Sequence, residues 1–178
     1  GINLEDIASP KCFEIEERLE KELEIPVFHD DQHGTAIVVT AALINALKLV
    51  KKEMSEIKVV LNGPGSAGTA IIKMLLESGV KNITACDEFG ILYKERAEGI
   101  KDHKKWLCTV TNLDDMRGNL SDALVGADVF IGVSVANILT KNMIKTMADK
   151  PIVFAMANPN PEISYDEAIK AGVAVMGT

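Results

Sequence analysis

The sequence predicts an α/β chain built on a doubly wound parallel sheet, and three observations predict it. Short, β-branched, nearly continuous apolar runs alternate with helical patterns from Ile57 onward. The joins between them are short and rich in turn residues. A glycine loop, Gly-Pro-Gly-Ser-Ala-Gly at positions 63–68, sits between the first such run and the helix after it. Strands apolar on both sides belong to sheets covered on both faces, which crossover helices provide.

In order, Ser9 and Pro10 form a helix-start pair, and Ile15, Leu19 and Leu23 follow at the spacing of one buried stripe. Residues 25–28 read as a short strand, and 34–49 as a helix apolar nearly all round, hence packed between other elements. Strands are expected at 57–61, 80–86, 107–110 (the weakest), 127–133, 151–157 and 173–176. Between them lie helices at 67–77, stopped by Gly79, at 121–125, ended by Gly126, and at 140–147. A last helix opens on a Ser164–Glu167 capping box and closes at Gly172. The charge-rich stretch 94–105 reads as a solvated helix or loop.

Acidic residues outnumber basic ones by 26 to 19 and the pI is near 5.0, which excludes a nucleic-acid binder that works by neutralising phosphates. The longest apolar run, 36–46, is interrupted by Thr40 and Asn45, so no membrane span is expected from run length. Cys12, Cys86 and Cys108 lack metal-type spacing and read as reduced core thiols of a cytoplasmic protein. The chain begins on Gly1 and ends within an apparent strand, so a segment of a longer polypeptide is expected.

The glycine loop carries chemistry because of its context. Gly63 makes the tight turn, Gly65 lets backbone approach a pyrophosphate, and Gly68 permits close packing of helix on strand. The amides of Ser66 and Ala67 at the helix start then face the phosphates. Pro64 removes one amide donor from the loop. Asp87 ends the second strand of the unit, where a carboxylate accepts from an adenosine ribose. With Glu88 beside it, two acids repel a 2′-phosphate, so NAD is expected over NADP unless Lys94 or Arg96 folds back.

Four acids, Glu5, Asp6, Asp30 and Asp31, lie near two segment ends in the first 31 residues. Oxygen-rich clusters suit hard divalent cations such as Mg²⁺ or Mn²⁺. Acids just before a helix also cap it and complement its dipole, and spacing does not decide between the two. His29 and His33 flank the acids and are expected to hydrogen-bond rather than ligate.

The chain resembles the malic enzymes, particularly the short bacterial type, over essentially its whole length. The resemblance is carried by residues 1–7 (Gly-Ile-Asn-Leu-Glu-Asp-Ile), 28–36 (Phe-His-Asp-Asp-Gln-His-Gly-Thr-Ala), the loop 62–68, 128–134 (Asp-Val-Phe-Ile-Gly-Val-Ser) and 154–159 (Phe-Ala-Met-Ala-Asn-Pro). It implies a Rossmann-like dinucleotide-binding domain and oxidative decarboxylation of L-malate to pyruvate and CO₂ with reduction of NAD(P)⁺. It implies Glu5, Asp6 and Asp31 as ligands of Mg²⁺ or Mn²⁺, with Asp30 assisting proton chemistry beside them. Asn158 would contact substrate and nicotinamide, and Ser134 would neighbour the cofactor. Residues 1–31 are then a metal-site segment bordering a further N-terminal domain, and 32–178 a dinucleotide-binding domain truncated at its C-terminal end. The family's proton-transfer lysine and tyrosine match nothing here, and Lys51, Lys52, Tyr93 and Tyr165 are read as surface residues. A homo-oligomer is expected by the same resemblance. Two other readings stay open: a non-catalytic NAD(P)-sensing module, which has no use for the acids, and a different amino- or hydroxy-acid dehydrogenase of the same fold that needs no cation.

Overall fold

The structure, a computed structural model, describes residues 1–8, 10–97 and 102–178. Six strands form the main sheet in the order β5-β4-β3-β6-β7-β8: β3 (Lys58–Asn62), β4 (Asn82–Asp87), β5 (Gly90–Ile91), β6 (Val129–Gly132), β7 (Ile152–Ala155) and β8 (Val175–Gly177). All neighbours are parallel except the short edge pair β4–β5. The strand order reverses beside β3, so chain ends diverge there and leave a crevice at the carboxyl ends of the strands.

Both faces are covered, as continuous apolar strands require. On one face Val59, Leu61, Ile83, Val129, Ile131 and Phe154 meet Leu43 and Leu47 of α2 (Thr35–Val50) and Ile71 and Leu75 of α3 (Ser66–Glu77). On the other, Val60, Phe130 and Val153 meet Leu120 of α5 (Leu120–Ala123), Ile144 of α6 (Lys141–Thr146) and Ala168 of α7 (Tyr165–Ala171). Alternation along β6 sends Val129 and Ile131 one way and Phe130 the other. Side chains of this size each contribute about 1.5–3 kcal/mol on burial.

A separate two-stranded parallel sheet, β1 (Ile2–Leu4) with β2 (Val27–His29), opens the chain around α1 (Lys11–Glu22). The stripe predicted on α1 differs from the observed one: Cys12 and Glu16 are buried, while Leu23 lies beyond the helix and is exposed. Glu16 is inside because it accepts from Gln32 Nε2 at 2.9 Å and contacts His33 Nε2 at 2.7 Å. The Ser9 cap lies outside the described residues.

The strand expected at 107–110 is instead the end of helix α4 (Asp102–Val110). Leu107 and Cys108 are buried as one side of that helix, and four apolar-rich residues cannot distinguish the two periods. The edge position goes to β5, which two residues of sequence do not announce. The Thr140 cap on α6 is present, and Ser164 accepts from the Glu167 N–H at 3.4 Å. Glu167 closes back on the Ser164 hydroxyl rather than on its amide.

Helix α2 is preceded by a π-helical turn, Asp30–Gly34. Together, at 21 residues, they are long and apolar enough to cross a membrane by length and composition, which reading run length alone does not reveal. Ala36, Val39, Leu43, Ala46, Leu47 and Val50 form the stripe buried against the sheet domain. The opposite face is not packed as the all-round apolar pattern predicts: Ile37, Val38 and Leu49 are exposed.

Candidate functional site: a dinucleotide cleft beside paired acids

The chain leaves β3 at Asn62, turns through the glycine loop and enters α3, with Gly65 in the cap position. Gly63 has φ +99°, and a Cβ there would overlap the Val133 carbonyl of the neighbouring turn. Around Gly65 a Cβ would meet nothing within 4 Å, so backbone is open to the crevice. A Cβ on Gly68 would strike the Gly63 carbonyl, so Gly68→Ala is expected to push α3 off the loop. Nicotinamide-cofactor affinity should then fall by about 10-fold or more in a calorimetric titration, with the variant still folded by circular dichroism. The roles predicted from spacing for Gly63 and Gly68, the tight turn and the close packing of helix on strand, have their geometric basis here.

The cleft is about 370 Å³ and is lined by Asn62, Gly63, Gly65, Asp87, Lys104 and Ser134 among others. Asp87 ends β4 with its side chain almost fully buried, and its Oδ1 accepts from Arg96 Nη2 at 2.7 Å and the Phe89 N–H at 2.9 Å. Its Oδ2 accepts from Lys104 Nζ at 3.1 Å. Burial by itself raises this carboxyl, but the donations from Arg96, Phe89 and Lys104 outweigh it and hold Asp87 below the ordinary carboxylate range. Two cations of this charge-rich stretch, Arg96 and Lys104, are therefore not simply solvated but cover Asp87. They offset the repulsion on which the expected preference for NAD rests. Arg96 does fold back, whereas Lys94 is exposed. Sequence reasoning missed Lys104, for which spacing offers no signal.

Ser134 follows β6 and Asn158 follows β7, at the carboxyl ends where this class of sheet binds ligands. Ser134 Oγ accepts from Asn62 Nδ2 at 2.7 Å. A second cleft of about 280 Å³ brings Asp31, Thr35, Ser66, Ala67, Ser134 and Asn158 to one place.

The acids come together through strand pairing. The β1–β2 register aligns Leu4 with His29, so Glu5 and Asp6 leave one strand end beside Asp30 and Asp31 leaving the other. Asp6, at φ 55°, donates its N–H to Asp31 Oδ2 at 2.9 Å. No side-chain hydrogen bond caps α2, but Asp30 and Asp31 lie in the first turn of the π-helical segment that leads into it, where acids complement the helix dipole. That turn also packs against α3, the helix that opens on the glycine loop. Asp30 folds over Gly34, where a Cβ would overlap its carboxylate.

His29 is fully buried; its Nδ1 lies 2.6 Å from Gln32 Nε2, while its Nε2 has no hydrogen-bond partner among the described residues. That Nε2 lies 3.3 Å from Asp31 Oδ2. Among the described residues no three Asp, Glu, His or Cys side chains are gathered around one point, and Glu5 and Asp6 are exposed. The two apposed acidic strand ends offer carboxylate oxygens, the donor type a hard divalent cation takes, but the described side chains are not gathered into a ready cation site.

A Gly-x-Gly-x-x-Gly turn, an acid at the end of the neighbouring strand and strand-end polar residues on a doubly wound sheet define the class: a dinucleotide-binding domain of an oxidoreductase. Residues 32–172 match the family described as malic enzyme, NAD binding domain, and the chain belongs to the malic enzymes. It is 60% identical over 178 residues to the bifunctional malic/malolactic enzyme of Bacillus subtilis, covering all of this chain and 43% of that protein. It is 47% identical over 170 residues to the NADP-dependent malic enzyme of Haemophilus influenzae, covering 94% of this chain and 22% of that one. The crystal structure of the NAD-dependent malic enzyme of Thermotoga maritima superposes with a TM-score of 0.96 at 52% identity, over 99% of this chain and 47% of that chain. The chain thus spans less than half the length of each of these relatives.

Proposed function

We propose that this chain is the cofactor- and metal-binding part of an enzyme that converts L-malate to pyruvate and CO₂ with reduction of NAD(P)⁺, the charge on which a preference for NAD would rest being offset by Arg96 and Lys104. The observation that carries the reading is the shared cleft of Asp31, Ser134 and Asn158 at the start of α3. It joins an acidic strand end to the mouth of the dinucleotide crevice, which a sensor module does not need. Membership of the malic enzymes supports the substrate assignment.

In this reading residues 1–31 border a further N-terminal domain and 32–178 hold the nucleotide. Gly63, Gly65, Ser66, Ala67 and Gly68 bind the pyrophosphate through backbone amides, and Asp87 orients the ribose. Ser134 and Asn158 orient the nicotinamide end, and the Asn158 amide also contacts substrate. Glu5, Asp6 and Asp31 would hold Mg²⁺ or Mn²⁺, which would supply Lewis acidity beside the substrate. Asp30 exchanges a proton beside them. The family's lysine and tyrosine match no residue of this chain, so the 178 residues alone are expected to be inactive on malate. A homo-oligomeric, cytoplasmic enzyme is proposed on the same family grounds.

Chelation tests the reading. Full-length enzyme treated with EDTA is expected to lose malate turnover by about 100-fold or more, to regain it with Mn²⁺ or Mg²⁺, and to keep binding NAD(H) throughout. Turnover undiminished by chelation would instead favour a hydroxy-acid dehydrogenase without a cation.

A further inference from the structure

We infer that Glu162 is a positioning residue, fastening the turn after β6 to the turn after β7 and so setting the gap in which Ser134 and Asn158 receive the nicotinamide end of the cofactor. The inference rests on the proposed roles of those two residues and names what holds them in place.

Glu162 is completely buried, and none of the ion pairs among the described residues includes it. Its partners are three donors from two different strand ends. Oε1 accepts from the Ser134 N–H at 2.9 Å and from the Ser134 hydroxyl at 3.1 Å. Oε2 accepts from the Ala157 N–H at 3.0 Å, one residue before Asn158. Through Ser134 Oγ the network reaches Asn62, the last residue of β3 and the neighbour of Gly63. One carboxylate therefore links the ends of three parallel strands along the crevice.

The residue itself is anchored from behind, because its carbonyl accepts from the Leu139 N–H at 3.0 Å and that of Pro161 from the Asn137 N–H at 3.1 Å. Its carboxylate lies flat on Gly132, where any Cβ would overlap it. A buried carboxyl is costly to desolvate unless its oxygens are satisfied, and here both must accept. An amide of the same shape cannot meet that demand. Its oxygen can serve Ser134, but its NH₂ then faces the Ala157 N–H, donor against donor. The β7 turn carrying Asn158 would be the part released.

The experiment uses the full-length enzyme, Glu162→Gln and, as an independent route, Gly132→Ala, whose added methyl displaces the same carboxylate from below. ADP-ribose and NAD⁺ are titrated by calorimetry, and kcat and KM for malate are measured at saturating NAD⁺ and Mn²⁺. Both variants are expected to bind ADP-ribose within about twofold of wild type, and to lose most of the extra affinity that NAD⁺ shows over ADP-ribose. A fall in kcat of about 10- to 100-fold with a smaller change in KM should accompany this, the scale of an ångström-sized misplacement. Parallel weakening of both ligands would mark a purely structural role and overturn the inference. So would an unchanged kcat in Glu162→Gln, or wild-type enzyme that binds the two ligands equally. If Glu162→Gln does not fold, Gly132→Ala decides on the same criteria. Absence of malate turnover in wild type would defeat the proposed function, while the comparison of NAD⁺ with ADP-ribose still decides Glu162.

Discussion

Asp31→Asn in the full-length enzyme is expected to lower divalent-dependent malate turnover by at least about 10³-fold while leaving the NAD(H) dissociation constant within about twofold. The substitution keeps size and one acceptor oxygen, so the hydrogen bond from the Asp6 N–H has a replacement and the β1–β2 ends stay apposed. What is lost is the negative charge at the point where the acids meet the crevice. Charge stabilisation by a bound cation is worth several kcal/mol in a transition state, and about 4 kcal/mol corresponds to 10³ in rate. In the proposed reading nucleotide binding depends chiefly on Gly63, Gly65 and Asp87, which line the other cleft, while only Ser66 and Ala67 of the loop share a cleft with Asp31. Steady-state kinetics across Mn²⁺ concentrations, with a parallel NADH titration, checks both halves. Wild-type turnover in the variant would remove the metal assignment, and binding without turnover in wild type would favour the sensor.

Asp87→Asn should move cofactor preference toward NADP, lowering the ratio of the NADP to the NAD dissociation constant by about 10- to 100-fold. In the native chain Arg96 and Lys104 spend their charge on Asp87. Neutralising that carboxyl leaves Lys104, which lines the cleft, and Arg96 behind it without their partner, Glu88 being the other acid among the described lining residues, and a 2′-phosphate is the natural recipient. A tenfold change is about 1.4 kcal/mol, within the reach of one charge-assisted hydrogen bond. Paired titrations of the two nucleotides measure it; an unchanged ratio would mean that Arg96 and Lys104 stay turned away from the 2′ position. The same variant has a second signature. Because the Asp87 carboxyl is held below its ordinary range in the fold, the stability it contributes is present above about pH 4 and is lost as pH falls through the lowered value. The acid limb of the unfolding curve should therefore flatten in Asp87→Asn.

The parts of this protein legible in its sequence are those whose cause is local. Continuous apolar runs dictate parallel strands covered on both faces, and five of the six expected strands are present in the sheet. Gly63 and Gly68 declare themselves because only a residue without Cβ fits against the Val133 and Gly63 carbonyls. Thr140 and Ser164 announce helix starts for the same local reason. The acids at 5–6 and 30–31 are visible as residues and as a family motif, but their spacing alone does not decide between cap and cation.

What tertiary structure alone decides is how distant charges are spent. A four-residue run at 107–110 is apolar in either period, and only packing against the sheet makes it a helix. The pairing of β1 with β2 brings Asp6 to Asp31 across 25 residues, and no periodicity encodes that distance. Arg96 and Lys104 reach Asp87, and Glu162 reaches Ser134 and Ala157, because a doubly wound sheet carries separate strand ends to one crevice. Sequence sets which groups are available; burial decides which of them must find one another, since an unpartnered polar group inside the fold is costly.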